Sequence, residues 1–199
     1  MSDEGEREGQ QIGNYQLTHL LGRGNFADIY LGQHVHLHTL AAVKVLHGRL
    51  TDDDLANFSN EARVIAHLRH PHIVQVLDFG VDGATPFLVM DFAPNGNLRQ
   101  RHPKGSRLPL QIVLSYVRQV ADALQFAHEQ LLIHRDIKPE NMLLGRNNEV
   151  LLSDFASPLC TRAQAPGKPR IPPEPFPTCR RNNFRRIPYR PAISMRWAS

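Results

Sequence analysis

The chain has 199 residues, enough for one ordinary domain with a sizeable core or for part of a larger domain with a tail. An apolar share of 41% excludes a wholly disordered chain, and no run of 18 apolar residues offers a membrane span. The net charge of +4 divides unevenly: residues 1–159 hold 14 Lys/Arg and 18 Asp/Glu, whereas residues 160–199 hold 9 basic residues and 1 acidic.

The first 14 residues read as a polar leader, acidic where a signal peptide would be basic and then apolar. Residues 15–21 read as a strand that enters the turn Gly22-Arg23-Gly24, and residues 26–33 as its returning partner. Leu40–Leu46 forms a third strand. The run from Thr51 to Asp54 supplies capping oxygens and first-turn negative charge. Leu55, Phe58, Ala62, Ile65 and Leu68 then recur at helical spacing, which predicts an amphipathic helix ending before Pro71. Residues 73–79 and 87–92 read as two more strands, parted by the turn residues Asp82 and Gly83. The breaker cluster Pro94-Asn95-Gly96-Asn97 marks a hinge. Beyond it Leu110, Val113, Leu114, Val117, Val120, Leu124 and Ala127 define a long helix, followed by short apolar runs at Met142–Leu144 and Val150–Leu152.

Several residues carry chemistry only in combination. The glycine turn holds two of the three glycines of a G-x-G-x-x-G loop, with Ala27 in third place; alone it reads most simply as a tight hairpin. Lys44 interrupts an apolar strand, and Glu61 sits among the apolar positions of the helix, so the two suggest an ion pair that aims an ammonium at a phosphate. His34, His36 and His38 alternate, so on a strand they would share one face with metal-ligand chemistry, but a hairpin is ordinarily solvated and no metal is expected there.

The string HRDIKPEN, from His134 to Asn141, followed by Asp154-Phe155, resembles the catalytic loop of eukaryotic-type serine/threonine protein kinases, of the kind also common in bacteria. The resemblance covers residues 15–155 and implies an α+β fold: an antiparallel five-stranded upper lobe with one helix (15–92), a hinge (93–97) and an incomplete helical lower lobe (98–155). It implies ATP and Mg²⁺ as cofactors and transfer of the γ-phosphate to Ser/Thr hydroxyls of a protein substrate. Under it Gly22 and Gly24 cover the phosphates, Lys44 contacts them, and Glu61 orients Lys44. Asp136 is the expected catalytic base with Lys138 beside it, as in serine/threonine rather than tyrosine kinases, while Asn141 and Asp154 are the expected Mg²⁺ ligands. Met90 resembles the gatekeeper and residues 91–93, including Asp91 and Ala93, the adenine-binding hinge. Ile29, Ala42 and Leu143 resemble the apolar contacts to the base, and Arg135 the arginine that pairs with a phosphorylated activation loop.

After Asp154-Phe155 the family pattern calls for glycine, and Ala156 stands there. Residues 156–199 show no activation segment; residues 160–199 carry 8 of the 15 prolines, both cysteines (Cys160, Cys179) and the one tryptophan, Trp197. Such a tail reads as a disordered basic segment, and it lacks the interleaved aromatics of a nucleic-acid stacking platform, so no nucleic-acid partner is expected. A frame change accounts for it better. With one nucleotide lost after the Phe155 codon, the other frame permits GIA after Asp-Phe, GTI followed by PYMSPEQL over residues 173–184, and SDIYALGV over residues 191–199. These resemble the end of a bacterial kinase activation segment and its following helix. The chain as given is therefore expected to be inactive, with a noncatalytic nucleotide-binding pseudokinase or scaffold as the alternative. Two cysteines with neither disulfide nor zinc spacing, and no membrane segment, place the expected site of action in the cytoplasm. Restoring one base between codons 155 and 156 should open a frame encoding DFGIA and a later PYMSPEQL-like string; a nucleotide sequence encoding neither rejects the frame change.

Overall fold

The structure, a computed structural model, describes residues 7–48 and 51–155. Six strands form one antiparallel sheet: β1 (Gln11–Ile12), β2 (Tyr15–Arg23), β3 (Ala27–His34), β4 (Leu40–Leu46), β5 (Val76–Asp82) and β6 (Thr85–Asp91), in the order β1-β2-β3-β4-β6-β5. The alternation of side chains along a strand gives this sheet two different faces. On β4, Ala41, Val43 and Val45 point outward into a core with Ile12, Tyr15, Leu17, Tyr30, Phe87 and Val89. The intervening Ala42, Lys44 and Leu46 belong to the opposite face, where helix α1 (Asp52–Ala66) crosses and packs on β5. Each fully buried Val or Leu of the outer core contributes about 1.5–3 kcal/mol, which is what specifies the register.

The sheet begins earlier than residue 15, because the polar leader supplies β1. Ile12 is buried, Gly9 N–H donates to Leu17 O at 2.7 Å, and the Glu8 carboxylate accepts from Leu20 N–H at 2.9 Å. The strand expected at 73–79 lies at Val76–Asp82 instead. Ile73 and Val74 are drawn away by another partner: Val74 N–H donates to Leu152 O at 3.0 Å, and Leu152 N–H donates to His72 O at 2.8 Å.

The second part of the fold holds α2 (Leu98–Arg101), α3 (Leu110–Glu129), a 3₁₀ turn (Pro139–Asn141) and the hairpin of β7 (Met142–Leu144) with β8 (Val150–Leu152). Asn97 caps α2, its side chain accepting from Gln100 N–H while Gln100 returns a bond to Asn97 N–H. The breaker cluster 94–97 is thus a built turn, tied further by Asn95 Nδ2 to Gly145 O at 2.7 Å and by Leu144 N–H to Gly96 O at 2.8 Å. The long helix runs two residues past its expected end, and its apolar stripe is covered unevenly. Val120, Ala123 and Ala127 are buried against Leu68, Ile73, Leu144, Val150, Leu152 and Phe155. Leu110 and Val117, at 65% and 56% exposed, and Leu114 between them belong to the half that nothing among the described residues covers. No helix among the described residues is long and apolar enough to cross a membrane. The expected tail, 156–199, with the frame change read into it, lies outside the described residues.

An exposed apolar stripe promotes self-association. The double variant Leu114→Glu/Val117→Glu should reduce dye binding by the protein and its concentration-dependent aggregation in light scattering. Its melting temperature should hardly move, because both positions are surface sites whose replacement changes stability by about 0.5 kcal/mol or less.

Candidate active site

A cleft of about 660 Å³ opens between the α1 face of the sheet and the segment from Asp136 to Phe155. The β2–β3 hairpin forms one wall. Gly24 N–H donates to Ala27 O at 2.9 Å, and a Cβ on Gly24 would meet that oxygen at 2.9 Å, so the tight turn requires glycine there. A Cβ on Gly22 would meet nothing within 4 Å, so its glycine is not required by packing in this state.

Lys44 reaches across the cleft. It stands between Ile29 and Leu88 in the register of β3, β4 and β6, and its Nζ lies 2.5 Å from Asp154 Oδ1. Asp154 itself has φ of 57°, and Arg135 φ of 68°. Left-handed backbone at two non-glycine residues stores strain, here on both sides of the carboxylate cluster.

The loop between α3 and β7 gathers the rest. Asp136 Oδ2 accepts from Lys138 Nζ at 2.6 Å and from Asn141 Nδ2 at 2.9 Å. Asn141 Nδ2 also donates to Asp136 O, while the Asn141 carbonyl accepts from Ser153 N–H at 2.9 Å, which ties this loop to β8. The Lys138 hydrogen bond holds the Asp136 carboxyl below the usual carboxylate range; burial opposes it, and Asn141 adds a lesser lowering. In return the carboxylate raises Lys138. Both side chains are about half exposed, so the pair fixes positions more than it stabilises the fold.

His134 is the buried support beneath them, 1% exposed. Its Nε2 lies 2.7 Å from Ser153 O, and its Nδ1 accepts from Asp136 N–H at 3.3 Å. One donor and one acceptor define the neutral Nε2–H tautomer. Burial lowers its pKa in agreement with that assignment. Its ring also packs on Phe155, centroids 4.6 Å apart.

Nine of the residues singled out in the sequence line this cleft: Gly22, Gly24, Ile29, Lys44, Met90, Asp136, Lys138, Asn141 and Asp154. Ala42 and Leu143 pack in the apolar cluster that contains Met90 and Ile29. Asp91 ends β6, where its N–H donates to Gln75 O; it and Ala93 follow Met90 outside the cleft lining. Burial raises the Asp91 carboxyl. Glu61 belongs to α1, and its side chain lies outside the described residues. Phe58, Ala62, Val74 and Phe155 also wall the cleft, and Ser153 links loop and hairpin, roles that the sequence does not mark. Helical period signals burial but not what is buried against, and Ser153 acts mainly through its backbone. The ring of His34 accepts the N–H groups of His36 and Leu37, so it caps its own hairpin.

This arrangement of sheet, cleft and loop coincides with a known family: the protein kinase domain model matches residues 15–167. The chain belongs to the protein kinase family. It is 35% identical over 146 residues to Aurora kinase C of Mus musculus, covering 72% of this chain and 53% of that protein. Serine/threonine-protein kinase Pkn1 of Myxococcus xanthus is 38% identical over 142 residues, covering 70% of this chain and 20% of that protein. The crystal structure of a point mutant of the Mycobacterium tuberculosis PknI kinase domain superposes with a TM-score of 0.67 at 32% identity, over 76% of this chain and 62% of that one. The chain thus spans about half the length, or less, of these curated kinases. The fold is protein kinase-like, with the antiparallel sheet lobe expected of it and one two-residue strand more than the five expected.

A histidine whose folded pKa is depressed contributes stability that is present above its unfolded value and lost as pH falls through the folded one. Stability should therefore decline from about pH 6.5 downward. His134→Asn should flatten that part of the profile in denaturant titrations at pH 5, 6 and 7.5. An unchanged slope would show that His134 does not carry it.

Proposed function

We propose that the cleft is a Mg²⁺-ATP site and that the chain descends from a serine/threonine protein kinase. The observation that carries this reading is the meeting of Lys44 and Asp154, 110 residues apart, at 2.5 Å in a cleft shared with Asp136 and Asn141. The residues present suit such a ligand. Asp154 and Asn141 offer carboxylate and amide oxygens of the kind a hard cation takes. The turn at Gly24 brings backbone close to the cleft.

Mg²⁺-ATP, when bound, supplies a γ-phosphoryl group whose negative charge the metal offsets. Asp136 takes the proton of an incoming Ser or Thr hydroxyl. Its hydrogen bonds to Lys138 and Asn141 both fall on Oδ2, which leaves Oδ1 for that task. Lys138 holds the base ionised. When the nucleotide is bound, Lys44 would contact the α/β-phosphates, Glu61 would orient it, and Gly22 and Gly24 would let the turn backbone approach them. Ile29, Ala42 and Leu143 would enclose the adenine beside Met90, and the backbone from Asp91 to Ala93 would hydrogen-bond its edge.

Ala156 favours a second reading in which this chain binds nucleotide without transferring phosphate. Phosphoryl transfer relies on positioning, and the glycine and activation segment that follow the metal-binding Asp-Phe in the family are replaced here. A thermal-shift titration on soluble monomer separates the claims. Mg²⁺-ATP should raise the melting temperature by several degrees, since saturation at a hundred times Kd is worth about 2.7 kcal/mol. Lys44→Met should remove most of the rise. A transition unmoved by millimolar Mg²⁺-ATP rejects nucleotide binding, and labelled-phosphate transfer that disappears on Asp136→Asn rejects inactivity.

A further inference from the structure

The carboxylate of Asp28 has no part in the chemistry above. Asp28 is the second residue of β3; its side chain is 9% exposed, and its neighbours Ala27 and Ile29 line the cleft while it does not. By strand alternation it faces the outer side of the sheet. A carboxylate taken out of water needs a donor, and His47 Nε2 lies 3.1 Å from its Oδ2. Arg7, Tyr30, Val45 and Gly48 complete a small cavity of about 70 Å³ around the two.

The register gives this pair its leverage. Asp28 is opposite Arg23 on β2 and Val45 on β4, so on β3 it is the last residue flanked by both neighbouring strands before the glycine turn. Beyond it the turn is held by Gly24 N–H to Ala27 O at 2.9 Å and by His47 N–H to Phe26 O at 2.8 Å. His47 therefore grips the turn twice, through its backbone at Phe26 and through its ring at Asp28. A rotation of β3 at Asp28 would swing Ala27 and Ile29 together, because successive side chains point to opposite faces.

We propose that Asp28 and His47 form a latch that positions the glycine-bearing turn, residues 22–26, over the cleft. The inference rests on the nucleotide-binding reading for its consequence, though not for the latch itself. Both are positioning residues: neither lines the cleft, and they act through the turn.

The full chain tests it with His47→Leu, His47→Gln and Asp28→Leu. His47 is about half exposed, so its replacement spares the core, and leucine at 28 removes the latch without leaving a buried charge unpaired. Two quantities are read: hydrogen exchange of the amides of residues 23–27 relative to those of β5, without nucleotide, and affinity for Mg²⁺ with a nonhydrolysable ATP analogue. His47→Leu and Asp28→Leu should speed exchange in the turn selectively and weaken the analogue by roughly fivefold. His47→Gln, which keeps an N–H donor, should recover much of both. Exchange that rises equally in the turn and in β5, or in neither, overturns the latch, because a merely stabilising pair would loosen the whole sheet. A wild-type chain that fails to bind the analogue rejects the nucleotide reading instead, and the exchange comparison still decides the latch.

Discussion

The cleft depends on a short backbone ladder. Leu152, fully buried on β8, donates to His72 and accepts from Val74, so the segment leading into β5 is joined to the strand that leads to Asp154. Two residues beyond Leu152 the chain must deliver a carboxylate to Lys44, which β4 holds rigidly between β3 and β6. Side chains around the ladder seal the same joint. Ile73, Leu68, Ala123, Ala127 and Phe155 pack on Leu152, and His70 stacks on Phe126 while its Nε2 lies 3.3 Å from Asp122. Sheet and helix parts are therefore one mechanical unit along this seam, and the cleft is the space they leave in front of it.

Charge placement in the cleft follows a second constraint. Two carboxylates, Asp136 and Asp154, face a common space and would repel each other if left unpaired. Each instead has its own lysine, Lys138 and Lys44, and Asn141 adds a neutral donor to the first. The Lys138–Asp136 pair, about half exposed, is too solvated to contribute much stability, whereas Lys44–Asp154 is part-buried. Their value lies in holding ionised oxygens at fixed points, and the buried, neutral His134 fixes them from below by joining Asp136 N–H to Ser153 O. The left-handed backbone at Arg135 and Asp154 is consistent with a loop whose shape is set by this network rather than by local preference.

The motifs make the candidate site legible in the sequence. HRDIKPEN, the lysine of LAAVKVL and the Asp-Phe pair carry their chemistry in residue type and spacing, and Asp136, Lys138, Asn141, Lys44 and Asp154 do meet in one cleft. The alternation of β4 and the helical period of α3 were legible for the same reason: they repeat within the reach of one element. By contrast, the strand expected at 73–79 was misplaced because Ile73 and Val74 look like any β residues, and only their pairing with Leu152 removes them from the sheet. The packed strand β1 was hidden in a polar leader because two residues hold no period.

What the sequence determined by itself is the set of reactive groups and the local geometry that bears them. A lysine on a strand, a glycine at a tight turn and a carboxylate two residues before another lysine are properties of short stretches of chain. Tertiary structure decided which groups share a space and which way each ring or carboxylate bonds: that Lys44 finds Asp154, that His134 is neutral, that Asp28 is buried against His47, and that half of the apolar stripe on α3 is covered. The physical reason is range. Periodicity and turn chemistry act over a few residues, whereas burial and charge pairing depend on segments many positions apart that only the packed core brings together.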